Sequence, residues 1–217
     1  MSDRQLRDLM MRVARLERRG GGLIPLQGVD LSEKDLKGVS FSKTDLSGAK
    51  FDQSDLRGAD ISESKLTEAN LVGANLSGAN LTRANLTEAN LSFTHLRGAN
   101  FTGAKLTNAS LEASDMGGSD FSGATLIETF AADTLLEGSN LHKANLKDAI
   151  FSRARLDGSN LTGATLVDCV LEGASLVGAD LTGARIRGAN LFGAYYDDQT
   201  KLPSTITQAQ LDSMVKV

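Results

Sequence analysis

Residues 69–91 read ANLVGANLSGANLTRANLTEANL, and residues 30–51 read DLSEKDLKGVSFSKTDLSGAKF. In both a large apolar residue returns at every fifth position, and the frame runs from Leu31 to Leu191, with Leu26 one step before it. Thirty-three positions fall in this frame: 24 Leu, 5 Phe, 2 Ile, Met116 and Ala131. Two residues before each centre stands a small residue, Ala at 19 of 33, with Val29, Lys34 and Val39 the departures from Ala, Ser, Thr or Cys. Asn or Asp precedes the centre at 18 positions and Gly follows it by two at 17.

A period of five suits neither regular element. On a helix each step of five turns the side chain by about 140°, which smears the leucines around the axis. On a flat strand an odd period sends successive leucines to opposite faces. The pattern is regular only if the chain turns a corner in every repeat, keeping centres and small residues inside. Asn, Asp and Gly, which tolerate turn geometry, stand where those corners fall. Self-similarity at fixed period is the mark of a solenoid, whose units bury their apolar faces only by stacking. One five-residue unit buries a single centre worth ~1.5–3 kcal/mol, against ~1–2 kcal/mol for ordering each of its residues. A lone unit therefore does not fold.

Runs such as Ala74-Asn75-Leu76-Ser77-Gly78 and Ala179-Asp180-Leu181-Thr182-Gly183 resemble the A-(D/N)-L-x-x motif of pentapeptide-repeat proteins, over about residues 26–196. The resemblance implies an all-β solenoid, a right-handed quadrilateral β-helix with four repeats per coil and about eight coils. At ~4.8 Å per coil that is a rod roughly 40 Å long. Grouping by twenties places Phe51 and Phe151 on one side, and Phe41, Phe101 and Phe121 on the opposite one. The resemblance further implies a non-enzymatic interaction scaffold. The alternative, implied by the quinolone-resistance branch of the family, is a DNA mimic that binds DNA gyrase. The string Ala194-Tyr195-Tyr196-Asp197-Asp198-Gln199-Thr200-Lys201 looks like endings of the bacterial, cyanobacterial members.

The expected organisation is an N-terminal helix and hinge over 2–22, repeats over 23–196 and a tail with a short helix over 197–217. In the first segment Ser2 with Gln5 forms a capping-box pattern, and Leu6, Leu9, Met10, Val13 and Leu16 form one stripe ending at Arg18-Arg19-Gly20. The stripe is expected to cap the open end of the first coil, or else to form a homodimer. Lys34 at a small-residue position points to a loosely closed first coil. In the tail, Thr207 and Gln210 form a second capping box, with Leu211, Met214 and Val215 as the apolar face.

The remaining composition excludes several classes. One cysteine forms no internal disulfide framework, and no apolar run approaches the ~20 residues of a membrane span. Six arginines by Arg19 with no continuous apolar run do not make a secretory signal, so a cytoplasmic protein without membrane contact is expected. His95 and His142 lack metal-ligand spacing, Cys169 fills an inward slot, and the Gly-Ala-Asn strings are repeat units rather than a phosphate loop. No catalytic constellation and no cofactor or metal are expected.

The sides of the rod are what remains. The chain's −4 less the +3 of residues 2–19 leaves −7 on the remainder, which disfavours direct nucleic-acid binding. The side carrying Leu31, Phe51 and Leu71 sums to −4 over its outward positions, against −1 on each of the others. It also carries outward Val72, Phe93, Phe130, Ile150, Val170 and Phe192, an expected protein interface or homodimer strip. Where Ala131 replaces a leucine, Ile127–Leu135 is expected to form a bulge, a small loop or an exposed apolar spot.

Overall fold

The computed structural model describes residues 5, 8, 9, 11, 13, 15 and 23–217. From Ile24 the chain winds in coils that pair in parallel with the coil before and after. Strand β1 (Ile24–Pro25) pairs with β2 (Thr44–Asp45). Single-residue bridges then run from Asp30–Lys50 to Ser175–Tyr195, each joining residues twenty apart. Strand β3 (Tyr195–Tyr196) pairs with β4 (Val215–Lys216), and helix α1 (Gln208–Ser213) lies between them. Four repeats per coil make four sides, here numbered I (Leu31, Phe51, Leu71 and on), II (Leu36, Leu56), III (Phe41, Ile61) and IV (Leu46, Leu66).

Each repeat turns its corner in the same way. In the repeat centred on Leu46 the Ala49 N–H donates to the Leu46 carbonyl at 2.9 Å, and Gly48 between them has φ of 64°. Positive φ at the third turn residue alone is the signature of a type II turn. All thirty-three frame positions carry it, seventeen as glycine and sixteen as other residues, Glu33, Phe93 and Ala113 among them. A non-glycine residue there costs ~1–2 kcal/mol, which the stacked coils on either side sustain.

Asn and Asp act by a different route from glycine. All eighteen of those preceding a centre accept, through Oδ1, the backbone N–H two residues on, as Asn75 does from Ser77 at 3.1 Å. This caps the first turn donor with a side chain, so their role is hydrogen bonding rather than tolerance of left-handed backbone. Asn100 accepts only the Thr102 N–H, at 2.9 Å. Asn100→Ala is expected to cost about 0.5–1.5 kcal/mol in urea unfolding; an unchanged midpoint would show the cap to be idle.

The centres line the interior without solvent contact, and Ala, Ser and Thr fill the slots beside the turns. Most buried hydroxyls find a carbonyl of the tube: Ser54 Oγ donates to the Phe51 carbonyl at 2.7 Å and Thr94 Oγ1 to the Leu91 carbonyl at 2.6 Å, whereas Ser139 Oγ and Ser159 Oγ have no partner among the described residues. Phe101 and Phe121 stack with ring centroids 4.5 Å apart, and Phe41 meets Phe51 edge-on at 5.9 Å. At Lys34, which is only half-buried, the turn lacks the closing hydrogen bond that Ala49 makes.

Two expectations need correction. Residues 127–135 form neither bulge nor loop: Thr125–Asn145, Phe130–Ile150 and Leu135–Arg155 keep the twenty-residue register, and Ala131 is fully buried in a leucine's place. Of the three expected features the segment has the last, an exposed apolar spot, at the Phe130 ring. Val215 does not share a face with Leu211 and Met214, because α1 ends at Ser213 and Val215 enters β4 opposite Tyr195.

At the C-terminal end the register departs from twenty where Asp180 pairs with Lys201, and returns to it where Tyr195 pairs with Val215. Side chains build that corner: Asp197 Oδ1 accepts the Gly178 and Thr200 N–H groups, and Thr200 Oγ1 donates to the Leu176 carbonyl at 3.0 Å. The capping box of Thr207 and Gln210 starts α1, and Met214 is buried on the core. At the other end the described residues Gln5, Asp8, Leu9, Met11, Val13 and Arg15 are helical. Val13 is buried in the core and Leu9 packs partly against it, while Met11 is exposed. Leu6, Met10 and Leu16, with Ser2 and the Gly20-Gly21-Gly22 hinge, lie outside the described residues.

Candidate interaction surface

The four sides present different chemistry because each outward position repeats every twenty residues. On side II the left-handed turn position is glycine in every coil from Gly38 to Gly178, leaving a bare ridge. On side III the first turn position carries Ser42, Ser62, Thr82, Thr102, Ser122, His142, Thr162 and Thr182, and beside it runs a ladder of Asn and Asp. Asn80 donates to Asp60 at 3.0 Å and Asn160 to Asn140 at 3.0 Å within that ladder. Such surfaces are hydrated and low.

Side I differs. Phe130, Ile150 and Val170 occupy successive bridged rungs and so form one apolar column. Val72 and Phe192 stand one residue past their centres and Phe93 two past, on the turn columns of the same side. Phe93, Phe130 and Phe192 are 60%, 52% and 65% exposed, whereas Val72, Ile150 and Val170 are half-buried. The eight phenylalanines thus divide into five inside the tube and three outside, all three on side I. Phe93 also holds φ of 60°, a strained conformation for a bulky residue.

Side I keeps much of its negative charge. Arg153 binds Asp133 through two bonds at 2.7 and 2.6 Å, and this guanidinium holds the Asp133 carboxyl below its ordinary range. Glu112 and Glu172 flank Arg153 and help to hold its proton. On side II the carboxylates are instead neutralised. Asp55 lies between Arg57 at 2.7 Å and Lys37 at 3.2 Å, and the Arg57 hydrogen bond holds it far below the carboxylate range. Asp115 pairs with Arg97, and Glu137 with Arg155.

The residues that chemistry would need are dispersed or closed off. Burial pushes the Cys169 thiol up to about 12, so it is no nucleophile at neutral pH. His142 Nδ1 meets Thr162 Oγ1 at 2.7 Å on side III, and His95 sits on the side II ladder between Asn75 and Asp115. Among the described residues no group of three or more His, Cys, Asp or Glu could hold a metal, and no helix is long and apolar enough to cross a membrane. The expected strip could be read from the twenty-residue grouping. The groove beside Arg185 and Arg187 could not, since it arises where the tail leaves the register at Asp180–Lys201.

These features define a class: a solenoid of stacked twenty-residue coils, each built of four pentapeptides, with its chemistry confined to its outer sides. The family profile described as pentapeptide repeats matches in eight copies, over residues 26–58, 59–92, 84–123, 119–158 and 154–193. The chain belongs to the pentapeptide-repeat family. Among solved structures it is 30% identical to HetL, a pentapeptide-repeat protein involved in heterocyst differentiation regulation in the cyanobacterium Nostoc, over 85% of this chain and 94% of that one, with a TM-score of 0.46. It is 21% identical to full-length QnrB1, a plasmid-mediated fluoroquinolone resistance protein, over 82% and 93% of the chains, with a TM-score of 0.47. A pentapeptide-repeat protein of the Arabidopsis thaliana thylakoid lumen is 34% identical over 56% of this chain and 68% of its own, with a TM-score of 0.20. No curated protein sequence matches.

Proposed function

We propose that this protein is a non-enzymatic scaffold, wound as a right-handed quadrilateral β-helix, that docks a partner protein on side I. The carrying observation is the placement of all three exposed phenylalanines on that one side, Phe93 in a strained turn position that glycine would occupy more cheaply. Exposed aromatic side chains in one row, framed by Glu112 and Glu172, match a partner surface with apolar pockets and basic rim residues. The N-terminal segment serves as a cap: Val13 and Leu9 already meet the core.

Placing the photo-crosslinking residue p-benzoylphenylalanine at Phe93 and Phe130 on side I, and at Arg83 on side III, tests this in cells. One discrete adduct from the two side I positions and none from Arg83 is expected. F93S/F130S is expected to leave folding intact. Equal adducts from both sides would remove side I as the interface. The other reading, gyrase binding by DNA mimicry, needs a row of unneutralised carboxylates. Asp55, Asp115, Asp133 and Glu137 are all spent on ion pairs instead.

A further inference from the structure

A groove of about 780 Å³ opens at the C-terminal end of side IV, between Arg185–Gly188 of the last repeat coil and Ser204–Thr205 of the tail. Its origin is visible in the ladder. In interior coils the N–H of each centre, and that of the residue two beyond, donate to the next coil. Leu166 and Asp168 do so to the Arg185 and Arg187 carbonyls at 2.8 and 2.9 Å. In the last coil the tail covers side III through Leu181 to Lys201, and side I through Gly193 to Ser213, each at 2.8 Å. Between them it lifts away at Pro203. The N–H groups of Gly183, Ile186, Gly188 and Leu191 therefore have no backbone acceptor among the described residues, and the strand edge between the two covered points lies open, with Ile186 and Gly188 at its middle.

The edge is rich in donors. The Gln210 amide covers the Ile186 and Ala189 carbonyls at 3.0 and 3.2 Å, leaving the N–H groups as the unmet side. Arg185 and Arg187 flank Ile186 at alternate positions, and none of the ion pairs among the described residues involves either. Asp168, one rung below, lies so near Gly188 that a Cβ there would fall 2.0 Å from its Oδ1. Two cations against this one carboxylate leave the groove positive. Leu202 and Ile206 pack on the core beneath, so an occupant has no apolar centre to supply.

We infer that this groove binds a short extended acidic segment of a partner protein by strand addition. The segment's carbonyls accept from Ile186 and Gly188, and its alternate acidic side chains reach Arg185 and Arg187, in the main-chain-plus-side-chain manner of edge recognition. The donors lie along a strand edge rather than converging on a point, which favours a chain over a small oxyanion. A second copy of this protein docked through the same end would bring donor against donor and arginine against arginine.

The test uses the full chain and a fluorescein-labelled, N-acetylated peptide Asp-Val-Asp-Val-Asp in low salt, read by fluorescence anisotropy. Saturable binding is expected, weakened about tenfold or more by Arg185→Ser with Arg187→Ser. Both side chains are exposed, so the melting temperature should not move. F93S/F130S, at the side I docking surface, should leave this affinity as it is. Hydrogen exchange should slow at the Ile186 and Gly188 amides when the peptide is bound. Absence of binding, equal binding of the Lys-Val-Lys-Val-Lys peptide, or displacement by sulfate at the peptide's own concentration would each overturn the inference. So would a concentration-dependent dimer that the two arginine substitutions dissolve.

Discussion

Phe121→Ala is expected to destabilise the protein by about 3–5 kcal/mol, enough to lower the melting temperature by roughly 6–20 °C in a chain of this size. Phe121 is fully buried on side III, one coil above Phe101, and the two rings stack at 4.5 Å with 5° between their planes. Truncation removes the apolar contact and leaves a ring-sized void. The tube wall is tied by ladder hydrogen bonds on every side and cannot collapse to fill it. In a solenoid the loss falls on two coil–coil interfaces rather than on a shared core. The stack on either side of Phe121 should therefore begin to melt separately, broadening the transition measured by circular dichroism. Phe93→Ala supplies the control: the same atoms are removed from an exposed ring, and the change should stay within about 0.5 kcal/mol. Equal shifts from the two variants would mean that the tube interior is not the source of stability.

That contrast shows why some of this molecule is legible from sequence. Which residues face inward follows from a period of five, because an inward leucine has a different chemical requirement from an outward threonine at every coil. The corners follow too, since glycine and Asn or Asp recur at fixed offsets. How Asn and Asp act does not follow: tolerating a left-handed backbone and capping a turn donor demand the same residue types, and only the Oδ1 contacts separate them. At Ile127–Leu135 the exposed apolar spot is legible in Phe130, but the unbroken register is not. Ala131 breaks the pattern of sizes, but register depends on backbone length, and five residues remain five whatever their side chains. Side I could be drawn because every position from Asp30 to Tyr195 keeps the twenty-residue count. The groove beside Arg185 could not, because it depends on one extra residue between Asp180 and Lys201 and on Pro203 turning the chain away. Both are local departures that no period encodes.

Deleting Leu106–Ser110 should leave a folded protein with a single melting transition, whereas deleting Lys105 alone should not. The five-residue deletion joins Lys105 to Leu111, so Ala104, Lys105 and Leu111 form an intact repeat and every coil still closes in four turns. The one-residue deletion leaves a coil of nineteen. One side of that coil is short by ~3.3–3.6 Å of chain, loses the residue that caps or bridges its corner, and cannot reach its ladder partners. Since each coil contacts only its neighbours, the stack should split at that point into two units that melt independently. The five-residue deletion carries a second consequence. It rotates everything beyond Ser110 by a quarter turn, so Phe130, Ile150, Val170 and Phe192 move to a side adjacent to that of Val72 and Phe93. Deleting the twenty residues Leu96–Asp115 removes one whole coil and keeps all six on one side. If side I docks a partner, photo-crosslinks from position 93 should be lost in the five-residue deletion and kept in the twenty-residue one, although both proteins are folded. Loss in both would point to the length of the rod rather than the alignment of its apolar strip, and retention in both would remove the strip from the interface.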